Sequence, residues 1–531
     1  MNAGSGRPSL RLIAGDLINS IAADVDAVTE AARQVRPRVP TASTKERPTH
    51  VAIIGGGIAG LTAAWNLVKE RGFTGEVTIF ESSPEVGGKL RLEEIEGIQL
   101  DVGAESLLAT RPEAVGLAKA VGLGSSIVNP TTSSASIYSY GRVNPIPAGL
   151  ITGIPTDLRA LAASDIISSK GLMRVPMDHW LPRTPIESDV SIGEYVSARL
   201  GDEVVERLVE PLLSGVYAGR ASQLSLEMTV PALYRLARKE RSLLRAAREL
   251  RETGAAGSGA RRGPVFAGIT GGVGRLPVSL AEKLRRRGVT INTDTTVTGL
   301  RAGPGGWRVL LRDSEGARRV EADAVVLAVP ATAASKLMTT VNPAAAATMS
   351  EIEYASVAVL TMLFDPDDVP TGLHGSGFLV PTVEKATIKA ATYSSRKWAW
   401  VARAGASRRT DTPGYFVLRC SMGRHGDTRV LQREDSDLVR LAGRDLAKIA
   451  GFPRTPLVSR VTRWGGALPQ YTVGHRARVG SIREQLVDTP GLVVCGAAYD
   501  GVGIAACVGS AQFAAGQVAT FLEQSRQWKK A

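Results

Sequence analysis

The sequence predicts an α/β protein of several domains (α+β overall), with a Rossmann-like unit near its amino-terminal end. Three observations lead there. From residue 50 a short apolar strand, a glycine-rich turn, a helix and a second strand follow one another. A second region of alternating helix and strand occupies 276–329, and a third returns after 491 to strand, glycine-rich turn and terminal helix. The 531 residues correspond to three or four units at roughly 150 residues each.

Composition narrows the class. At 44% apolar and 22% charged residues the chain is neither disordered, collagen-like nor a coiled coil. Arg, Asp, Gly or Pro interrupts every apolar run before the ~18 to 20 residues a membrane-spanning helix needs. Lys and Arg total 64 against 51 Asp and Glu, a formal charge of +13, which favours acidic ligands, nucleic acid or an anionic surface without choosing among them. No nucleic-acid-binding motif accompanies that charge. Cys420, Cys495 and Cys507 are odd in number and form no CxxC pair, as expected of reduced thiols in a cytoplasmic protein. His50, His179, His374, His425 and His475 show no metal-ligand spacing, so no metal is expected.

Taken in order, residues 1–49 carry apolar positions at roughly helical spacing and then a Pro, Thr and Ser-rich linker. A strand is expected over 51–54, a helix over 59–69 and a strand over 77–80. The stretch 147–252 reads mostly as helix, including 191–200, 204–213 and a basic helix over 235–251, followed by a loop over 254–263. A helix over 276–287 and strands over 289–293, 295–300, 307–311 and 324–329 come next. Residues 331–460 read as alternating strands and loops, and the terminal helix covers 510–522.

Gly55, Gly56, Gly57, Ile58, Ala59 and Gly60 satisfy G-x-G-x-x-G between a strand and a helix, the context in which that motif binds a pyrophosphate through backbone N–H groups. Glu81 ends the second strand, roughly 20 residues on, where a carboxylate can accept from ribose hydroxyls. Together they predict a dinucleotide site. Gly87 and Gly88, followed by Lys89 and Arg91, form a second glycine pair against which more of an extended cofactor can lie.

This second element resembles the GG-x-x-R motif of the flavin-containing amine oxidase superfamily, which implies FAD. Three further stretches are similar to the protoporphyrinogen and coproporphyrinogen oxidase family within it: Glu210 to Gly219 with the preceding Ile192, Gly193, Glu194 and Tyr195; Trp464 with Pro469, Gln470, Tyr471, Gly474 and His475; and Gly496, Tyr499 and Gly501 to Ile504. The resemblance covers 50–525, leaving the first 49 residues outside. It implies a discontinuous FAD-binding domain (50–98, 263–330 and 458–525), a mixed-sheet substrate domain (99–146 and 331–457) and a helical insertion (147–262). Matched by motif, the flavin contacts are Gly55 to Gly60, Glu81, Ser82, Lys89, Arg91, Gly103, Ala104, Glu105, Ser106, Val297, Trp464, Val502, Gly503 and Ile504.

The family's chemistry implies hydride removal from a saturated bridge carbon of a porphyrinogen and reoxidation by dioxygen to hydrogen peroxide. The implied reaction is coproporphyrinogen III to coproporphyrin III in haem synthesis, with protoporphyrinogen IX as the alternative substrate. A non-catalytic flavin-bound partner protein is the alternative of another class. No general base stands out. Arg111 and Arg419 are the propionate candidates, each weighed against an ordinary surface or structural arginine. His475 reads as a structural turn residue. The basic stretch over 235–251 reads as a solvated face, with a propionate-attracting rim or a transient docking surface for the next haem-synthesis enzyme as the sharper readings. Membrane contact is expected to be peripheral at most.

Overall fold

The computed structural model describes residues 48–256, 265–303, 305–406 and 414–530. The helix and linker expected over most of 1–49, and most of the loop expected over 254–263, lie outside the described residues. His50–Ile54 is the central strand of a five-stranded parallel sheet, in the order Thr290–Asn292, Glu76–Phe80, His50–Ile54, Ala324–Leu327, Leu492–Val494. Covered on both faces, the strand is continuously apolar after His50. Val51 and Ile53 pack against helices Ile58–Trp65, Arg275–Arg285 and Ile504–Lys530, whereas Ala52 and Ile54 face a three-stranded antiparallel layer, Thr296–Gly303, Gly306–Asp313 and Gly316–Ala322, and the helices Ala331–Met338 and Pro343–Ser350.

The terminal helix is longer than expected. By length and composition Ile504–Arg526 could cross a membrane, yet 61% of its apolar window is buried, where Val508, Ala511, Ala515 and Val518 meet the helix Ile58–Trp65 side of the core.

A second sheet of seven strands runs Val458–Pro469, Tyr354–Phe364, Phe416–Met422, Ile388–Thr392, Gly377–Leu379, Ser136–Ser139, Arg142–Pro145. Side chains alternate across it. Leu360, Met362, Leu418, Cys420 and Met422 form an apolar core with Leu438, Ala442 and Leu446 of helix Asp435–Ala450. The register rows Thr361, Arg419, Thr392 and Val359, Ser421, Ala390 occupy the opposite face, which turns toward the glycine-rich segments.

Several expectations are corrected. Val458–Pro469, placed by motif with the dinucleotide-binding segments, is instead the edge strand of the seven-stranded sheet, because the eleven-residue strand Tyr354–Phe364 pairs with it along most of its length. Residues 331–460 hold helices as well as strands, Asp435–Ala450 being the longest of them. The basic helix over 235–251 is two helices, Pro231–Ala237 and Leu243–Ala256. Between them the Ser242 hydroxyl donates to Asp178 and accepts from the Arg245 N–H.

Asp178 also anchors the helical insertion. Its Oδ1 accepts from Arg199 Nε at 2.5 Å and its Oδ2 from the Leu244 N–H at 2.9 Å, while both charged side chains are fully buried. Arg199→Ala would leave Asp178 buried without its counter-charge, and is expected to cost about 3 to 5 kcal/mol. Urea unfolding followed by circular dichroism measures this; a loss below about 1 kcal/mol would mean that water rehydrates the carboxylate.

Candidate functional site

Three backbone segments distant in sequence lie against one another at the carboxyl end of the parallel sheet. Gly55 has φ +105°, and a Cβ there would stand 2.7 Å from the Ala328 carbonyl oxygen, so only glycine makes the turn from strand to helix. The Gly56 N–H donates to Glu81 Oε2 at 2.6 Å and the Ser83 N–H to Glu81 Oε1 at 2.9 Å, which fixes the carboxylate at the end of the second strand while leaving lone pairs for a ribose. Ser82 is exposed beside it. The Gly87 N–H donates to the Gly56 carbonyl at 2.9 Å, and Gly57 bridges to Gly87. The third segment follows: the Val102 N–H donates to the Arg91 carbonyl and the Ala104 N–H to the Lys89 carbonyl. A Cβ on Gly103 would sit 2.0 Å from that Lys89 oxygen. Trp464 Nε1 donates to the Val102 carbonyl at 3.0 Å.

The carboxy-terminal turn closes the group, because a Cβ built on Gly496 would stand 3.7 Å from the Ala59 Cβ. Val502 is buried, Gly503 has φ +102° and the long helix starts at Ile504. Space is left where a ligand would need it: no heavy atom beyond the adjoining residues comes within 4 Å of a Cβ built on Gly57 or on Gly503. Both positions immediately precede a helix whose first N–H groups have no intrahelical acceptor. The Thr295 N–H donates to the Glu81 carbonyl at 2.9 Å, which sets Val297, at the start of the next strand, near the adenosine end. These features suit an extended dinucleotide whose pyrophosphate meets the first helix.

Electrostatics concentrate at Glu105. Lys397 Nζ donates to Oε1 at 2.6 Å and to the Ser106 hydroxyl at 2.9 Å, while Arg419 donates to Oε2 at 2.7 Å and to the Gly103 carbonyl at 2.6 Å. Burial opposes ionisation of Glu105, but the two cations outweigh it and hold the carboxyl at about 2. Arg419 is therefore engaged within the fold. Arg111 is likewise buried and forms a two-pronged pair with Glu113. Lys89 is open to solvent, yet the flanking protein lowers its ammonium pKa, an effect the neighbouring Cys507 opposes. Burial raises Asp101 to about 6 even though it accepts from the Gly274 and Val273 N–H groups.

His475 has an internal role. Fully buried, it stacks on Tyr471 with ring centroids 4.4 Å apart, and its Nε2 meets the Ala498 carbonyl at 2.9 Å. Burial lowers its pKa to about 4, so it is neutral at physiological pH. In the basic stretch, Arg241 donates to the His179 carbonyl, and Arg248 and Arg251 to Thr156. All three cysteines are free and buried. Among the described residues no cluster of His, Cys, Asp or Glu could hold a metal ion.

A parallel sheet with a glycine-lined turn before each of two helices, facing a second sheet across an ion cluster, defines a dinucleotide-dependent oxidoreductase. The family model for flavin containing amine oxidoreductases matches residues 58–519, and the chain belongs to that family. It is 32% identical over 481 residues to a coproporphyrinogen III oxidase of Bacillus subtilis (strain 168), covering 89% of this chain and 98% of the relative. It is 36% identical over 468 residues to a coproporphyrinogen III oxidase of Mycobacterium tuberculosis (strain ATCC 25618 / H37Rv), covering 87% and 96%. The crystal structure of a "Putative protoporphyrinogen oxidase" from Exiguobacterium sp. 255-15 superposes with a TM-score of 0.76 at 31% identity, covering 90% of this chain and all of that one.

Lys397 was not among the residues singled out from sequence. It lies at the end of a short helix 292 residues from Glu105, and no motif marks it.

Two outcomes follow from this geometry. Gly57 has φ −72° and open space at its Cβ, so Gly57→Val should fold normally but copurify with about tenfold less FAD, read from the ratio of flavin to protein absorbance; full retention would show that the cofactor does not pass this position. Glu105→Gln should destabilise the protein by about 3 to 5 kcal/mol near neutrality. Because the folded pKa lies below the ordinary 4.5, the wild-type contribution is present above pH 4.5 and fades as pH falls toward 2. Melting temperatures of the two proteins should accordingly converge in acid, and a constant gap would disprove this origin.

Proposed function

We propose that this chain is the FAD-dependent, oxygen-dependent oxidase that converts coproporphyrinogen III to coproporphyrin III in haem synthesis. The observation that carries this reading is the likeness, over nearly their whole length, to enzymes named for that reaction, combined with a glycine-lined turn shaped for FAD. Bound FAD supplies the acceptor for hydride from the substrate and delivers the electrons to dioxygen as hydrogen peroxide. Three two-electron rounds account for the six electrons between a porphyrinogen and a porphyrin.

What the chain contributes is position and environment. Glu81 and the first helix turn hold the adenosine and pyrophosphate portions, and Gly57, Gly88 and Gly103 let backbone approach closely. Trp464, fixed to Val102, and the Glu105 cluster set the wall between cofactor and substrate. No general base is required of His475, which is neutral and locked. Arg111 serves as a propionate contact on the cofactor side, since Glu113 occupies only part of its five-donor fork. Cytoplasmic location accords with three buried free thiols and a terminal helix committed to the core. Residues 50–98 and 263–330 with the terminal segment form the cofactor domain, and 147–262 the insertion that covers the substrate.

The experiment is anaerobic flavin reduction by coproporphyrinogen III and by protoporphyrinogen IX at matched concentration, followed by peroxide release in air. Coproporphyrinogen III should give the higher kcat/KM, and an equal or higher value for protoporphyrinogen IX would reject the assignment. Arg111→Ala should raise KM about tenfold, as expected for loss of one charge-assisted contact of roughly 1.5 kcal/mol, with FAD content unchanged. Denaturation should release free FAD, because the nearby thiols Cys495 and Cys507 are buried in the core behind the site.

A further inference from the structure

The face of the seven-stranded sheet opposite its apolar core carries a lysine that the site described above does not use. Lys389 lies on strand Ile388–Thr392 and is only 6% exposed. Among the described residues its one polar side-chain contact is the Ser214 carbonyl, at 3.5 Å, on helix Glu210–Tyr217 of the insertion. The other charged group acting on it is a second cation, Arg424. Burial and then Arg424 push the Lys389 ammonium down to about 7.

Arg424 donates to the Val380 carbonyl at 3.0 Å, but its Nε has no partner, and neither does the buried Ser214 hydroxyl. Among the described residues no carboxylate forms an ion pair with Lys389 or Arg424. Glu210 accepts from Thr382 at 2.8 Å, and Glu210 and Asp427 act on Arg424 without forming an ion pair to it. A buried lysine beside a half-buried arginine and an unpartnered hydroxyl is unfavourable in an otherwise closed fold. The arrangement becomes favourable when an anion enters between them.

The position matches a substrate arm. Ala390, next to Lys389, is partly exposed and shares its register row with Ser421 and Val359. Three residues further along the same strand, Thr392 pairs with Arg419, whose guanidinium holds the Gly103 carbonyl of the cofactor wall. At ~3.3 Å per residue, Lys389 stands roughly 10 Å along the strand from that row. A ring docked at the cofactor wall would have Lys389 within the reach of a side chain.

We propose that Lys389, Arg424 and Ser214 form a carboxylate subsite that receives one propionate arm of the tetrapyrrole. The proposal rests on the function inferred above. It assigns the distal end of the substrate cavity, on the junction between sheet and insertion, to an anionic group. Every pyrrole of a substrate with four propionates carries such an arm, whereas a substrate with two presents pyrroles that carry none.

The test uses the FAD-loaded full chain and three probes: coproporphyrin III, its uncharged tetramethyl ester, and turnover of coproporphyrinogen III. Lys389→Met is expected to weaken coproporphyrin III binding about tenfold or more and to raise KM more than it lowers kcat. It should leave ester binding and FAD content unchanged. Its melting temperature should equal or exceed that of the wild type, since an uncompensated buried charge is removed. Lys389→Arg should restore most of the binding. Unchanged binding of coproporphyrin III by Lys389→Met, an equal loss for the ester, or a lowered melting temperature with binding intact would each overturn the subsite. If the wild type bound coproporphyrin III but failed to oxidise coproporphyrinogen III, the function would fall while the binding comparison still decided the subsite. If the wild type bound no coproporphyrin III, both would fall.

Discussion

A carboxylate shared between an ammonium and a guanidinium ties the two halves of this molecule together. Glu105 lies on the segment that runs beside the second glycine pair, while Lys397 and Arg419 come from the seven-stranded sheet and its flanking helix, 292 and 314 residues away in the chain. The same Arg419 grips the Gly103 carbonyl, so a charge pair and a backbone contact are made by one planar fork. The seven-stranded sheet and the glycine-rich segments are thereby held in a fixed relation by packing rather than by a flexible hinge.

How much of this was legible in the sequence depended on how local the cause was. Strand, glycine turn, helix and Glu81 fall within some thirty residues and each obeys a short-range rule, so they could be read directly. The register of the second glycine pair against the first needed the recognisable motif at Gly87 and Gly88. Helix Asp435–Ala450 was missed although Leu438, Leu441, Ala442 and Leu446 carry the period of a buried face; the surrounding strands drew the reading toward sheet. The motif that holds Trp464 places its strand with the dinucleotide-binding segments, whereas the strand edges the seven-stranded sheet, since nothing local tells an edge strand which sheet it will join. Lys397 and Lys389 were illegible for a different reason. A lysine in an ordinary polar stretch gives no sign that residues nearly two or three hundred positions away will bury it.

The two faces of the large sheet show how one alternation serves two purposes. Every second residue of Phe416–Met422 builds the core over helix Asp435–Ala450, and the residues between, Arg419 and Ser421, face the cofactor side. Shifting such a strand by one position would exchange core for site. The apolar rows therefore fix not only stability but also which polar groups reach the cavity. The bulge between Ile388 and Ala390 interrupts that alternation, and there the sheet places a lysine among buried neighbours.

The parallel sheet draws its strands from residue 50 to residue 494, and the helix that begins at Ile504 packs against the one that begins at Ile58. Such pairings join the two ends of a long chain, and contacts of this sequence separation form late. During synthesis the early strand and glycine turn emerge long before the segments that cover them. The nascent strand can pair early with Glu76–Phe80 on one edge, but its other edge waits for Ala324–Leu327 and its covering helix for the segment that begins at Ile504. The glycine-lined group is therefore complete only once the turn before Ile504 has been made, so its assembly follows that of nearly the whole chain between residues 50 and 504.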